Sequence, residues 1–226
     1  MYAIFLKRFI DFTLALVALV VLSPVLLVLT VVGAVKMKGN PFFTQMRPGK
    51  DEKIFKLIKF RSMTCQTDKD GNLLPDEQRL TRYGKILRST SLDEIPELLN
   101  ILAGDMALVG PRPQLVRDMV FMTPDQRRRH SIRPGLTGLA QVSGRNSITW
   151  EQKLQYDLTY LDEGITLWGD LKILFMTAGK VFLREDVVRE GTVSDMDFGD
   201  WLMLSGKVDK ETYAKKQEEA RELLKI

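Results

Sequence analysis

The longest hydrophobic run in the chain covers residues 12–35, 24 positions without a charge. At ~1.5 Å per residue a helix of that length spans the hydrocarbon core of a bilayer. Its flanks are basic on both sides, Lys7 and Arg8 before it, Lys36 and Lys38 after it. No small-residue cleavage site stands where a removed signal peptide would carry one, so the segment is read as retained and membrane-embedded. Two topologies fit. One is a transmembrane helix kinked at Ser23-Pro24. The other is a re-entrant hairpin of two half-helices: proline at mid-segment deletes one backbone bond, the Ser hydroxyl can satisfy the freed carbonyl, and basic flanks draw both ends to the cytoplasm.

Beyond Gly39-Asn40-Pro41 the pattern turns soluble. Residues 41–49 predict a short strand and turn, and residues 54–61 alternate apolar positions with lysines as a second strand. Residues 65–79 are polar and predict a surface excursion turning at Asp70-Gly71-Asn72. A helix over 80–87 delivers Arg88, a second starts near Asp93 and stops at Gly104-Asp105, and 106–109 is a short buried strand. Helices follow over 115–130 and 149–161. Residues 166–184 form a hydrophobic helix with Trp168 and scattered bases, suited to the bilayer interface or to core packing. In the tail, 191–206 is irregular, with Phe198, Trp201, Leu202 and Met203 able to dock on the body; 209–225 is a solvated helix capped by Asp209. The expected fold is α+β and mainly helical, with a membrane segment at 1–38, a main domain at 39–189 and a tail at 190–226.

Charge changes this picture in one respect. The net +4 is uneven: residues 191–226 hold eight acids and six bases, which leaves +6 on the body. A basic body suits anionic ligands or an anionic membrane surface. The single cysteine, Cys65, excludes an internal disulfide and a thiolate metal cluster. The single histidine, His130, excludes a multi-histidine metal site. It lies in Gln126-Arg127-Arg128-Arg129-His130, read as a solvated helix face. Covalent chemistry then falls to a carboxylate, hydroxyl or amine.

Asp93 and Glu94 are the candidate reacting pair, because Pro96 places a helix start beside them. The plainer reading is helix capping, since Ser91-x-x-Glu94 has capping-box spacing. Against it, a Ser91 cap would put Pro96 at the fifth helical position, where a bond would be lost. Gly110-Pro111-Arg112-Pro113 follows the buried strand, and Pro111 and Pro113 would hold Arg112 in an extended backbone that presents a guanidinium fork to phosphate or to water. The stretch from Ser131 to Asn146 has glycines that allow backbone amides near a ligand, with Arg133 and Arg145 near its ends. It lacks the P-loop lysine and the dinucleotide-binding spacing. Asp157, on the 149–161 helix, is a candidate structural partner for one of these arginines.

Together, the basic-flanked segment with Ser23-Pro24, Lys59-Phe60-Arg61-Ser62-Met63, Ser91-Leu92-Asp93-Glu94, Gly110-Pro111-Arg112-Pro113, Arg133-Pro134-Gly135-Leu136-Thr137-Gly138 and Gln141-Val142-Ser143-Gly144-Arg145-Asn146 resemble the bacterial sugar transferase family. These are the monotopic phosphoglycosyl transferases that begin glycoconjugate assembly on polyprenol phosphate. The resemblance covers residues 1–185, and the short N-terminus is similar to the family's minimal form. It implies a re-entrant segment in the bacterial inner membrane, with interfacial helices and a site on the cytoplasmic face. It implies transfer of a sugar 1-phosphate from a UDP-sugar to polyprenol (undecaprenyl) phosphate, with release of UMP, through a phosphosugar on Asp93. Mg2+ would be held by Asp93 and Glu94, with Glu94 as metal ligand or base. Phosphate or nucleotide would be held by Arg112 and Arg145, with Arg88, Lys59 and Arg133 as further candidates. No nucleic-acid partner is implied. Two other classes stay open: direct transfer to polyprenol phosphate without a covalent step, and a membrane-anchored scaffold for anionic lipids. The identity of the sugar and the oligomeric state are not legible.

Overall fold

The computed structural model describes residues 2–144, 148–183 and 196–225. A π-helical turn over Tyr2–Leu6 leads into α1, Lys7–Met37, which is one helix through Pro24. The expected division at Ser23-Pro24 into two half-helices is therefore not present as a break in the helix. The missing N–H of Pro24 leaves the Val20 carbonyl without its helical donor, and Ser23 Oγ donates to that carbonyl at 2.7 Å. A left-handed Lys38 ends α1, where Gly39 N donates to the Ala34 carbonyl.

One stripe of α1 faces the body along its whole length. Lys7, Asp11 and Ala15 are buried at helical spacing. Ala18, Leu19 and Leu22 continue the stripe against the core of Phe55, Leu57, Leu98, Ile101 and Met106. Near the far end the Tyr83 hydroxyl donates to the Leu29 carbonyl at 2.9 Å, and Gly33 packs so closely that a Cβ would stand 3.0 Å from both Pro41 and Tyr83. The opposite face leaves Phe9, Val20, Val21, Leu27, Val31 and Val35 exposed. Among the described residues α1 is the helix long and apolar enough to cross a membrane.

Strands β1, Phe42–Pro48, and β2, Ile54–Phe60, pair antiparallel with Phe42 opposite Phe60. After the polar excursion, which ends in the short helix α2 (Asp76–Arg79), come α3, Arg82–Ser89, capped by the Thr81 hydroxyl, and α4, Glu97–Ala103. Buried Asn100 of α4 accepts from Ile58 N at 3.1 Å and donates to the Lys56 carbonyl at 2.8 Å, stitching α4 to the outer edge of β2. Helix α4 ends at left-handed Gly104, and its last carbonyls are taken by guanidinium groups: Ile101 and Leu102 by Arg8, Gly104 by Arg133.

Strand β3, Ala107–Val109, runs parallel to β4, Gly135–Thr137. Gly135 and Gly138, expected to let backbone amides approach a ligand, also let this pair's own backbones approach each other. A Cβ on Gly135 would fall 2.1 Å from Gly110 N, and one on Gly138 would fall 2.2 Å from the Gly110 carbonyl oxygen. The single helix expected over 115–130 is instead α5, Val116–Met119, α6, Pro124–Arg127, and a 3₁₀ turn over Arg128–Ser131. Thr123-Pro124 restarts the helix: the Thr123 and Gln126 side chains exchange bonds with each other's backbone N–H, and Pro124 occupies the first turn. His130 is consequently buried and not on a solvated face. Burial, reinforced by Arg129, presses its pKa down to about 3.

Helices α7, Leu139–Ser143, α8, Trp150–Asp162, and α9, Leu167–Leu183, complete the body. Asp170 of α9 accepts from Tyr2, Lys7 and Tyr160, at 2.6, 2.5 and 2.6 Å, and so joins α9 to the start of α1. On the other side of α9, Trp168 and Phe175 are 81% and 76% exposed. The tail folds as α10, Phe198–Leu204, where irregular chain was expected, and as the Asp209-capped helix α11, Lys210–Leu223.

Candidate active site

Asp93 and Glu94 lie in a 3₁₀ turn, Leu92–Glu94, one turn ahead of α4; the helix starts after Pro96 and not at Asp93. Proline is accommodated there because a residue at the cap has no intrahelical N–H bond to lose. Ser91 adopts a left-handed conformation (φ 54°) and its side chain makes no cap bond, so the Ser91-Glu94 capping box does not form. The turn instead brings both carboxylates to the end of β2. Lys59 Nζ lies 2.9 Å from Glu94 Oε1 and 3.0 Å from Glu97 Oε1, on the first turn of α4. From the other side Arg112 Nη2 meets the same Glu94 oxygen at 2.5 Å.

The surroundings separate these carboxylates electrostatically. Burial would raise Glu94, but the Arg112 and Lys59 charges, with the hydrogen bonds they donate, outweigh it and hold the group below the usual glutamate range. Asp93 is shifted the opposite way: burial first, then the neighbouring Glu94 charge, raise it against the pull of Lys59, Arg88 and Arg112. Burial and the Glu94 charge drive Glu97 up to about 6, against Lys59. An aspartate raised in this way is a more basic carboxylate than its neighbour, in a field of three cations suited to phosphate. Glu94 is the anchored member of the pair.

Arg112 is held by its backbone. The Pro111 carbonyl accepts from Gly135 N at 2.9 Å, the Arg112 carbonyl from Arg129 Nη2 at 2.6 Å, and the Pro113 carbonyl from Arg47 Nη1 at 3.1 Å. Arg129 is fixed in turn by Asp157, with Nε and Nη2 at 2.9 and 2.7 Å from Oδ2. The partner of Asp157 is thus Arg129, and not Arg133, one of the arginines expected to pair with it. Arg88 donates to Ser62 Oγ at 3.0 Å, and its charge acts on Asp93. Arg133 caps the far end of α4 and does not join the group around Asp93. Arg145 lies outside the described residues.

Two contributors escaped the sequence reading. Glu97 follows Asp93 by four positions and Glu94 by three, a spacing that could have marked it as sharing their side of the chain. Arg129 sits in a run of three arginines with no local sign of which one is buried. For a divalent cation, Asp93 and Glu94 supply hard oxygen donors of the kind magnesium takes beside phosphate and water. The bonds from Lys59 and Arg112 both fall on Oε1 of Glu94, so a metal would meet this pair from another direction.

A sequence model of the family described as Bacterial sugar transferase matches residues 2–184. The chain is 46% identical over 189 residues to the uncharacterized sugar transferase EpsL of Bacillus subtilis, covering 84% of this chain and 93% of that protein. It is 39% identical over 189 residues to a UDP-glucose:undecaprenyl-phosphate glucose-1-phosphate transferase of Klebsiella pneumoniae, and 37% identical over 201 residues to an undecaprenyl-phosphate galactose phosphotransferase of Salmonella typhimurium. The aligned part covers 79% and 80% of this chain but 40% and 41% of those two proteins.

Proposed function

This chain belongs to the bacterial sugar transferase family, and on that premise we propose that it transfers a sugar 1-phosphate from a UDP-sugar to polyprenol phosphate through a phosphosugar on Asp93. The observation that carries the reading is the site itself. A half-buried aspartate of raised basicity stands beside an anchored glutamate, among Lys59, Arg88 and Arg112. A scaffold for anionic lipids has no use for that juxtaposition.

In the first step an Asp93 carboxylate oxygen bonds to the sugar-side phosphorus as the bond to the leaving phosphate breaks, releasing UMP and leaving an acyl phosphate. In the second, a phosphate oxygen of the polyprenol phosphate attacks that phosphorus and restores the free carboxylate. Arg112 and Lys59 serve as phosphate ligands that are held by Glu94 until substrate arrives, and Arg88 adds charge behind Asp93. Glu94 and Asp93 would hold magnesium, which when bound offsets repulsion between the anionic reactants. Arg145 completes the phosphate set in this reading.

The same chemistry requires the site at a membrane surface, where the polyprenol chain resides. Both ends of α1 touch one body, Lys7 at Asp170 and Leu29 at Tyr83, which supports a monotopic insertion with both ends on the cytoplasmic face. The exposed apolar faces of α1 and α9 would meet the lipid.

The decisive experiment omits the acceptor. With magnesium and nucleotide sugar alone, the protein should release UMP and gain one sugar phosphate that maps to Asp93, and Asp93→Asn should do neither. Full turnover by Asp93→Asn, or no adduct under rapid quench, would replace the covalent route with direct transfer.

A further inference from the structure

The tail beyond the family match contacts the body at the place where Arg112 is mounted. The segment carrying Arg112 is pinned at successive points: Pro111 by Gly135, Arg112 by Arg129, Pro113 by Arg47, and Leu115 N by Asp118 Oδ2 at 3.2 Å. The first three pins belong to the body. The fourth is shared, because the other oxygen of buried Asp118 accepts from Phe198 N, at the start of α10, at 2.8 Å.

The same short stretch reaches the second support of Arg112. The Phe198 ring lies 5.1 Å, centroid to centroid, from Trp150, the first residue of α8, and Trp150 Nε1 donates to the Met196 carbonyl at 2.9 Å. Helix α8 carries Asp157, the carboxylate that fixes Arg129. Further contacts hold the tail down: Gly199 packs on Phe121 with no room for a Cβ, Arg117 meets Asp197 at 2.5 Å, and Ala220 of α11 is buried against Val116, Met119 and Val120 of the α5 region. Residues 196–198 therefore join α5 and α8, the elements that carry Asp118 and Asp157, two supports of the backbone that mounts Arg112.

We propose that the α10–α11 tail is a brace that sets the position of Arg112, with Phe198 as its positioning residue. The inference rests on the reading of Arg112 as a phosphate ligand. A catalytic cation displaced by about 1 Å loses much of its effect, and freeing Leu115 and loosening α8 would let the whole segment move. Phe198 touches no substrate; its ring packs on Trp150 and so seats the main-chain N–H that donates to Asp118.

A double-mutant cycle in the full chain tests this. Phe198→Ala should lower kcat/KM for the UDP-sugar by about tenfold with the protein folded at assay temperature. In an Arg112→Lys background, already impaired, the same change should cost less than about twofold, because the group it positions is gone. A tail that only adds stability would cost the same factor in both backgrounds, and that result, or no loss in the parent, overturns the brace. An Arg112→Lys protein with parent kinetics would instead remove Arg112 from the site and the brace with it, a distinguishable failure. If Phe198→Ala does not fold, Phe198→Leu with amide exchange replaces it: Leu115 N–H should exchange about tenfold faster while Gly135 N–H is unchanged. Unchanged exchange at Leu115 would also overturn the proposal.

Discussion

Lys59 serves two carboxylates at once, and this has a measurable consequence for Glu97. The Glu97 carboxyl is raised from 4.5 to about 6 by burial, so its contribution to stability is fully present below pH 4.5 and is lost as pH rises through about 6. Between those limits the loss amounts to about 2 kcal/mol. Glu97→Gln should therefore remove that much of the decline between pH 4.5 and 7 in urea unfolding. Asp118, raised to about 6 chiefly by burial, supplies a decline of the same sign that remains in the variant. Identical pH responses in parent and variant would show that Glu97 carries no such cost. At this scale the sequence was informative where chemistry and spacing coincide. Asp93, Glu94 and Arg112 could be singled out because few residue types can do phosphoryl chemistry and prolines bracket the arginine, whereas Lys59 entered only through the family resemblance. The Asp157–Arg129 pair was half legible, since a lone acid on a helix invites a cation but does not say which of many arginines arrives.

Helices and strands depend on fewer contacts than their length suggests. Asn100 alone bonds both the N–H of Ile58 and the carbonyl of Lys56, and β2 carries Lys59 to the site three residues after Lys56. Asn100→Ala removes the partner of two part-buried backbone groups, so it should cost about 1–3 kcal/mol and lower UMP release with it. A full-rate, equally stable variant would mean that β2 holds its place by other contacts. The Ser23-Pro24 dipeptide was readable as a site where a hydroxyl replaces a helical donor, because that repair is local. The restart at Thr123-Pro124 was equally local, yet residues 115–130 were read as one helix across it. The start of α4 was misplaced by one turn for a similar reason: a 3₁₀ turn and a first helical turn use the same residue types.

Long-range pairing defines the whole molecule, and little of it is written locally. The parallel β3–β4 pair joins residues 107–109 to 135–137 through backbones brought together at glycines, and glycine by itself does not distinguish that use from a ligand loop. The docking of the tail was readable only as apolar residues in search of a surface. A helix long and apolar enough to cross a membrane was legible from the uncharged run, and the contacts of α1 make its topology testable. In a Cys65→Ser background, needed because Cys65 is exposed, single cysteines at Tyr2 and Gly39 should both react with an impermeant reagent only from the cytoplasmic side. Labelling of one site from each side would establish a spanning helix and require the α1 contacts with Asp170 or Tyr83 to be broken in the membrane.

Ala15 is fully inaccessible, and Ala18, Leu19 and Leu22 pack beside it on Leu98, Ile101 and Met106. The membrane segment is therefore also one wall of the central core. Deleting it cannot yield a soluble version of this enzyme: the cut would strip α4 of its apolar cover and leave the carbonyls held by Arg8 to water. The solvent around α1 becomes a determinant of the active site's stability, because α4 transmits any loosening to the turn that carries Asp93. Lipid thickness and detergent choice should then shift activity, though by less than substitutions in the site itself.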